Sequence, residues 1–533
     1  MPRPDCLPQA TTPPSPLRLA WQPALLVPLV LLLNGGCRAA DQVPLHWPVA
    51  SPPPLQSENP VLWVALAARL GPQAPGPSAS SPGAAAAAPL RLKAASGTLT
   101  LEDGAGQRVE APDVTLHWRW SPLPQPVVFR RRVLGPFASY ETAEAAARSW
   151  ASSGLNPVLA RPLDWEVWAP ADAPDPPGRS ARLVERRESR RLVLEIRRPQ
   201  GVMALQGPIR LEAPAGLRWG TGVYKGPFRL LADAHGGWTL LEEVPLERYL
   251  EGVVPHEIGA ASPPAALAAQ AVLARTWAVR NRGRYGADGY HLCADTQCQV
   301  YSDPAQASPA VRQAIASSRA KVLAAGDQPI HAVYHASNGG VAAGLEEAWD
   351  VEPVPYLRAF ADGGATFQGQ HPLPITAQTL PLLIRNGQGA YGVDHPLFRW
   401  QRTLTAGAVS SALAARGLSV GVPRSLKVLE RGPSGRTIAL EIGGSQATLV
   451  LRRDAIRRTL RQLPSTLFTL TPSQSGGWSI QGGGFGHGAG LSQAGAIDLA
   501  GRGWTMDAIL QHYYPGADLQ PLGAIRLRQP GDI

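Results

Sequence analysis

Apolar and polar positions alternate along most of this chain, in short runs cut by glycine and proline. LRLKAA and GTLTLEDG, between residues 90 and 104, read as strands closed by a DG turn. RLVLEIRR, RLLADA and WTLLEEV repeat the pattern after residue 190, and SLKVLERGPSGRTIALEIGG, 425–444, reads as a hairpin with PSGR at its tip. VLWVALAARL, 61–70, is apolar nearly throughout and fits either a buried strand or a short helix. Helical spacing is confined to a few segments. SYETAEAAARSWASSG predicts a helix capped by Ser139 and stopped by Gly154. SPPAALAAQAVLARTWAVRNRGR predicts a second, with Ser262 as cap, prolines in the first turn and a stripe of small residues at Ala271, Ala274 and Ala278. SQAGAIDLAGRG gives the last helical signal. The pattern predicts an α+β fold: a strand-rich mixed domain with a few helices.

The 533 residues hold 55 glycines and 54 prolines, which suits many turns and linkers rather than a helical bundle. Arg3 and Arg18 precede the apolar run ALLVPLVLLL, 24–33, and small residues follow near Ala39 and Ala40. That layout predicts a signal peptide over 1–40 and export to the periplasm or cell wall, with a lipoprotein signal at Cys37 or an uncleaved N-terminal membrane anchor as alternatives. Residues 41–126 read as linker and short strands, partly low-complexity (PQAPGPSASSPGAAAAAP). Residues 127–170 read as a strand–helix–strand unit, 171–189 as a second linker, 190–525 as the main domain and 526–533 as a tail.

The formal charge of +10 points to an anionic partner. The arginines are spread along the chain, with no basic helix interleaved with aromatics, so an acidic cell-wall polymer fits better than nucleic acid. Of four cysteines, only Cys293 and Cys298 lie beyond the leader, too few for a disulfide framework.

Four stretches carry candidate chemistry. Glu257, in GVVPHEIGAASP, is a carboxylate after an apolar run at the mouth of the Ala-rich helix; desolvation there raises a carboxyl pKa and makes a general acid. His291, Cys293 and Cys298, in HLCADTQCQVYSD, are zinc-type ligands, with His335 or water as a fourth; a Cys293–Cys298 disulfide is the alternative. YHASNGG offers His335, Ser337 and Asn338 before a double glycine, where backbone approaches a ligand closely, and no G-x-S-x-G elbow surrounds Ser337. GGGFGHGAGLSQAGA, 482–496, offers His487 among glycines, then Ser492 and Gln493 at the start of a helix whose N-terminus suits an anion.

VPLERYLEGVVPHEI, AALAAQAVLARTWAVR, CADTQCQVY, YHASNGG, PSGRTIALEI, PSTLF and GHGAGLSQAGA occur in this order, and their series resembles the SpoIID/LytB (stage II sporulation protein D / amidase enhancer) family over about 205–525. The resemblance implies a glycan cleft and a lytic transglycosylase that cuts peptidoglycan strands stripped of stem peptides, with Glu257 at the catalytic position. His335, Ser337, Asn338, His487, Ser492 and Gln493 would then contact the sugar. It implies as an alternative a non-catalytic wall-binding protein that stimulates a cell-wall amidase. Some relatives bind zinc near the cysteine motif, where this chain has Gln297 in place of a second histidine. The 127–170 unit (VVFRRRVLGPF, the Ser139-capped helix, LDWEVWAP) is similar to half of a SPOR module, which binds peptidoglycan glycan strands.

Overall fold

The computed structural model describes residues 43–72, 88–473 and 477–527. The expected leader, Cys37 included, lies outside them. Residues 61–70 take the strand alternative. This strand, β1 (Val61–Leu70), lies between antiparallel β2 (Trp238–Pro245) and parallel β3 (Leu292–Cys293). The sheet continues outward from β2 through Phe228–Ala232, Ile209–Glu212, Leu99–Glu102 and Arg108–Ala111. β1 lacks alternation because both its faces are covered. Leu62 and Val64 enter the main core, while Trp63 and Ala65 enter a second core with Tyr140, Trp150 and Trp165.

A second sheet runs Gly222–Tyr224, Leu217–Trp219, Leu90–Ala94, Asp113–Phe137, Trp165–Pro170, Val158–Ala160. The 127–170 stretch does form strand, helix and returning strand. The returning strand pairs antiparallel with the first, and the first begins at Asp113 and pairs along Arg182–Arg198. The strands expected at 90–94 and 99–102 form, and the expected linker 171–189 contributes residues 182–189 to a strand. Within this unit α1 (Tyr140–Ala151) is capped by Ser139, whose hydroxyl accepts from the Thr142 N–H at 3.3 Å, and it buries Ala143, Ala146, Ala147 and Trp150.

α2 (Leu246–Val254) and α3 (Pro264–Arg280) build the main core. Every residue from Ala266 to Val279 is buried, so the alanines serve all faces of α3 rather than one stripe. Arg275 in its middle is fully buried and makes a two-pronged ion pair with Glu247 of α2, at 2.7 and 2.8 Å. Ser262 does not cap α3; its hydroxyl donates back to the Ile258 carbonyl at 2.7 Å. Pro263 and Pro264 explain the difference: proline has no N–H, so the helix start has fewer donors to satisfy.

The 425–444 hairpin forms as Pro423–Arg431 against Thr437–Gly444, extended by Thr448–Arg452. Its tip enters the core. Arg436, fully buried, donates to the carbonyls of Val341 and Asn338, each at 2.9 Å. Ser434 donates to Glu347 at 2.6 Å.

Candidate active site

The turn that joins α2 to α3, Pro255–Gly259, is a single π turn, and it carries Glu257 half-buried at its outer side. The Val300 N–H donates to Glu257 Oε1 at 2.9 Å. Burial pushes the Glu257 pKa above the usual carboxylate range; the Val300 N–H and the Tyr334 hydroxyl, which favour the anion, pull it part of the way back. Glu257 opens onto a cavity of about 430 Å³, shared with Ala336, Gly392, Asp394, His395, Gln493 and Asp498.

Gln493 reaches this cavity because it is the first residue of α4 (Gln493–Gly501), and its amide donates to Gln270 of α3 at 3.4 Å. Asp498, one face along α4, accepts from the Gly392 N–H at 2.9 Å and from Arg502 at 2.7 Å. Those partners leave Asp394 as the exposed, unpartnered carboxylate of the rim among the described residues. His395 accepts at Nδ1 from the Leu397 N–H at 3.0 Å, and desolvation lowers its pKa.

The other candidate residues stand behind this cavity. The short parallel pair Tyr334–His335 and Leu491–Ser492 forms a wall. His335 is buried, with Nδ1 at 3.1 Å from the Ala489 carbonyl, and burial drives its pKa well below 6.5. His487 is held by backbone groups at both ring nitrogens, and burial lowers its pKa to about 4. Ser337 is buried, and its backbone pairs with Phe485. The Asn338 side chain donates to Asp362 at 2.6 Å and accepts from the Gly340 N–H at 2.8 Å. Ser492 caps α4, accepting from the Gly495 N–H at 3.3 Å. The glycines of 482–496 let one strand of backbone run against 333–339. At Gly486, where φ is +114°, an added Cβ would lie 2.6 Å from His335 Cβ. The structure thus brings Glu257 and Gln493 together at one cavity, while His335, Ser337, Asn338, His487 and Ser492 are not among the residues that line it.

The zinc expectation does not fit the donor set. Cys293 and Cys298 are joined as a disulfide. His291 accepts at Nδ1 from the Trp63 N–H at 2.9 Å, and its Nε2 lies 3.1 Å from the Pro53 carbonyl, so backbone holds both nitrogens. His335 is buried with its Nδ1 on the Ala489 carbonyl. Among the described residues no group of three or more His, Cys, Asp or Glu side chains is placed to hold a metal ion.

Tyr334, Val300, Asp394 and His395 were not singled out in the sequence. The signal for Tyr334 was its place beside His335, since neighbours on a strand face opposite ways. Val300 signals nothing, because its backbone does the work.

Residues 234–324 match the family model described as Stage II sporulation protein (SpoIID), and residues 343–490 match a domain of unknown function (DUF8618). The Stage II sporulation protein D of Bacillus subtilis (strain 168) is 28% identical over 301 residues, 53% of this chain and 77% of that protein. Its counterpart in Bacillus amyloliquefaciens is 28% identical over 298 residues, 52% of this chain and 75% of that protein. The Amidase enhancer of B. subtilis is 28% identical over 292 residues, 51% of this chain and 40% of that protein.

Proposed function

We propose that this chain, which carries a SpoIID domain over residues 234–324, cleaves the glycan strands of peptidoglycan as a lytic transglycosylase, with Glu257 as its acid and base. The observation that carries the reading is the state of Glu257: half-buried at a cavity, inclined by desolvation to hold a proton, and supplied with donors for the anion it leaves. The protonated carboxyl gives its proton to the glycosidic oxygen as the C1–O bond breaks. The sugar is left with oxocarbenium character. The 6-hydroxyl of the same muramic acid residue attacks C1, and its proton passes to the Glu257 carboxylate. The product end is a 1,6-anhydro sugar, no water is consumed, and the acid is regenerated. This cycle needs one carboxyl, in contrast to the two of ordinary glycosidases. Gln493 at the cavity edge would contact the sugar.

Mass spectrometry of products from stem-peptide-free glycan strands tests the reading. Anhydro ends that disappear with Glu257→Gln support it; hydrated reducing ends defeat it.

The likeness to a protein named Amidase enhancer favours a second reading, a wall-bound protein that stimulates a cell-wall amidase. Amidase stimulation that survives Glu257→Gln would support that instead. Both readings place the protein outside the cytoplasm, directed there by residues 1–40, and both give the 127–170 unit a role in holding glycan. No helix of the described residues is long and apolar enough to cross a membrane.

A further inference from the structure

Behind Glu257 runs a line of side chains that the reaction above does not call on. Tyr249 of α2 donates its hydroxyl to Gln299 Oε1 at 3.2 Å. Gln299 Nε2 donates to the Tyr334 hydroxyl at 3.1 Å and to the Ala274 carbonyl of α3 at 3.4 Å. Tyr249 and Gln299 are both buried, at 0% and 1% exposure, so no water competes for these bonds.

The directions of the bonds follow from the atoms. A backbone carbonyl only accepts, so the NH₂ end of the Gln299 amide must face Ala274, and the amide cannot turn over. The second hydrogen of that NH₂ then faces Tyr334, whose oxygen accepts. A tyrosine hydroxyl carries one proton, and with its oxygen accepting from Gln299 that proton is free for the Glu257 carboxylate, with which the Tyr334 hydroxyl is hydrogen-bonded. The next residue, Val300, donates its N–H to Glu257 Oε1 at 2.9 Å. Two consecutive residues therefore set both donors to the carboxylate, one directly and one through Tyr334.

We propose that Gln299 is a positioning residue: by fixing the direction of the Tyr334 O–H bond, it makes Tyr334 a preset donor to the Glu257 carboxylate that forms when the proton leaves. This rests on the reading of Glu257 as the acid. A donor oriented in advance spends no reorganisation at the moment charge develops. The titratable groups facing Glu257 are Tyr249 and Tyr334 from behind and Asp394, His395 and Asp498 across the cavity. Burial holds both tyrosines well above pH 10, so neither changes charge in the working range.

The test measures pH–rate profiles on denuded glycan strands, and in parallel the titration of Glu257 by carbon-13 NMR of glutamate-labelled protein, assigned by its loss in Glu257→Gln. The variants are Gln299→Met, Tyr334→Phe and Tyr249→Phe. Removing a donor to the anion raises the acid's pKa, so the alkaline limb and the Glu257 titration both move to higher pH in Gln299→Met and Tyr334→Phe. The expected shift is roughly half a unit or more, with kcat down about tenfold and KM little changed. Tyr249→Phe leaves the amide pinned by Ala274 and should leave the limb where it is. Cleavage with an unmoved limb and an unmoved titration in both Gln299→Met and Tyr334→Phe overturns the proposal. Should Gln299→Met not fold, Gln299→Asn, which keeps an amide but draws it back from Tyr334, takes its place. If the wild type cleaves nothing, the NMR titration still decides the positioning claim, and only the reaction assigned to Glu257 falls.

Discussion

The imidazole of His487 donates from Nε2 to the carbonyl of Tyr334 at 2.9 Å and accepts at Nδ1 from the Ala489 N–H at 3.2 Å. An amide N–H only donates, so Nδ1 is bare and the ring is neutral. His291 is held the same way at Nδ1, and burial lowers both pKa values to about 4. The unfolded chain returns these rings to the ordinary value near 6.5. Between those limits the unfolded state binds protons that the native state refuses. Stability should therefore be flat above about pH 7 on their account and fall as pH drops from 6.5 toward 4, with roughly two protons taken up on unfolding near pH 5. Urea midpoints measured from pH 4 to 8 check this. A curve that rises toward acid would contradict the neutral assignment.

Glu257→Gln should reduce glycan cleavage by at least about 10²-fold, the ordinary worth of a positioned acid. The same variant should not lose stability at neutral pH. The folded pKa of Glu257 is raised, so ionising it costs the native state as pH climbs past the unfolded value, and an amide never meets that cost. A thermal scan at pH 7 is the check; a clear drop in Tm would mean the carboxyl is structural.

Arg275 and Glu247 form a buried pair between α2 and α3. Arg275→Ala should cost about 3–5 kcal/mol, because Glu247 stays buried without its partner. Replacing both by apolar residues of similar size, Arg275→Met with Glu247→Leu, should recover much of that. Denaturant titration of the three variants separates the two effects.

Reduction of the denatured protein should release two thiols that the native, unreduced protein does not show, from Cys293 and Cys298. Changing both to serine should cost about 2 kcal/mol, as expected for a short closed loop. Elemental analysis of the purified chain should find no stoichiometric zinc. A full equivalent of bound zinc would reverse this part of the site.

Local signals were legible. Ser139 as a cap and the hairpin at 425–444 follow from spacing and residue type. What escaped depends on distant neighbours. The Ser262 cap was misplaced because two prolines removed the donors it was meant to meet. His335 and His487 drew notice as imidazoles, yet both rings are buried, and backbone groups occupy both nitrogens of His487 and the Nδ1 of His335. Arg436, inside the hairpin tip, ties the Asn338 loop to the hairpin through carbonyls that no pattern reveals. The run 61–70 carried no period because two cores cover it.

That last strand governs how the protein is assembled. Residues 61–70 lie one strand in from the edge of the sheet, between neighbours that come from 238–245 and 292–293. During synthesis β1 emerges first and must wait for most of the intervening chain before either edge of it can be paired. Closing so long a loop makes late, slow joining the expected kinetics. A fragment cut to begin at residue 190 would contain Glu257, Gln299 and Gln493 but would leave β2 and β3 facing a gap one strand wide. Those bare backbone edges would seek strands from other copies, so the minimal stably folded piece that holds Glu257 starts before residue 61.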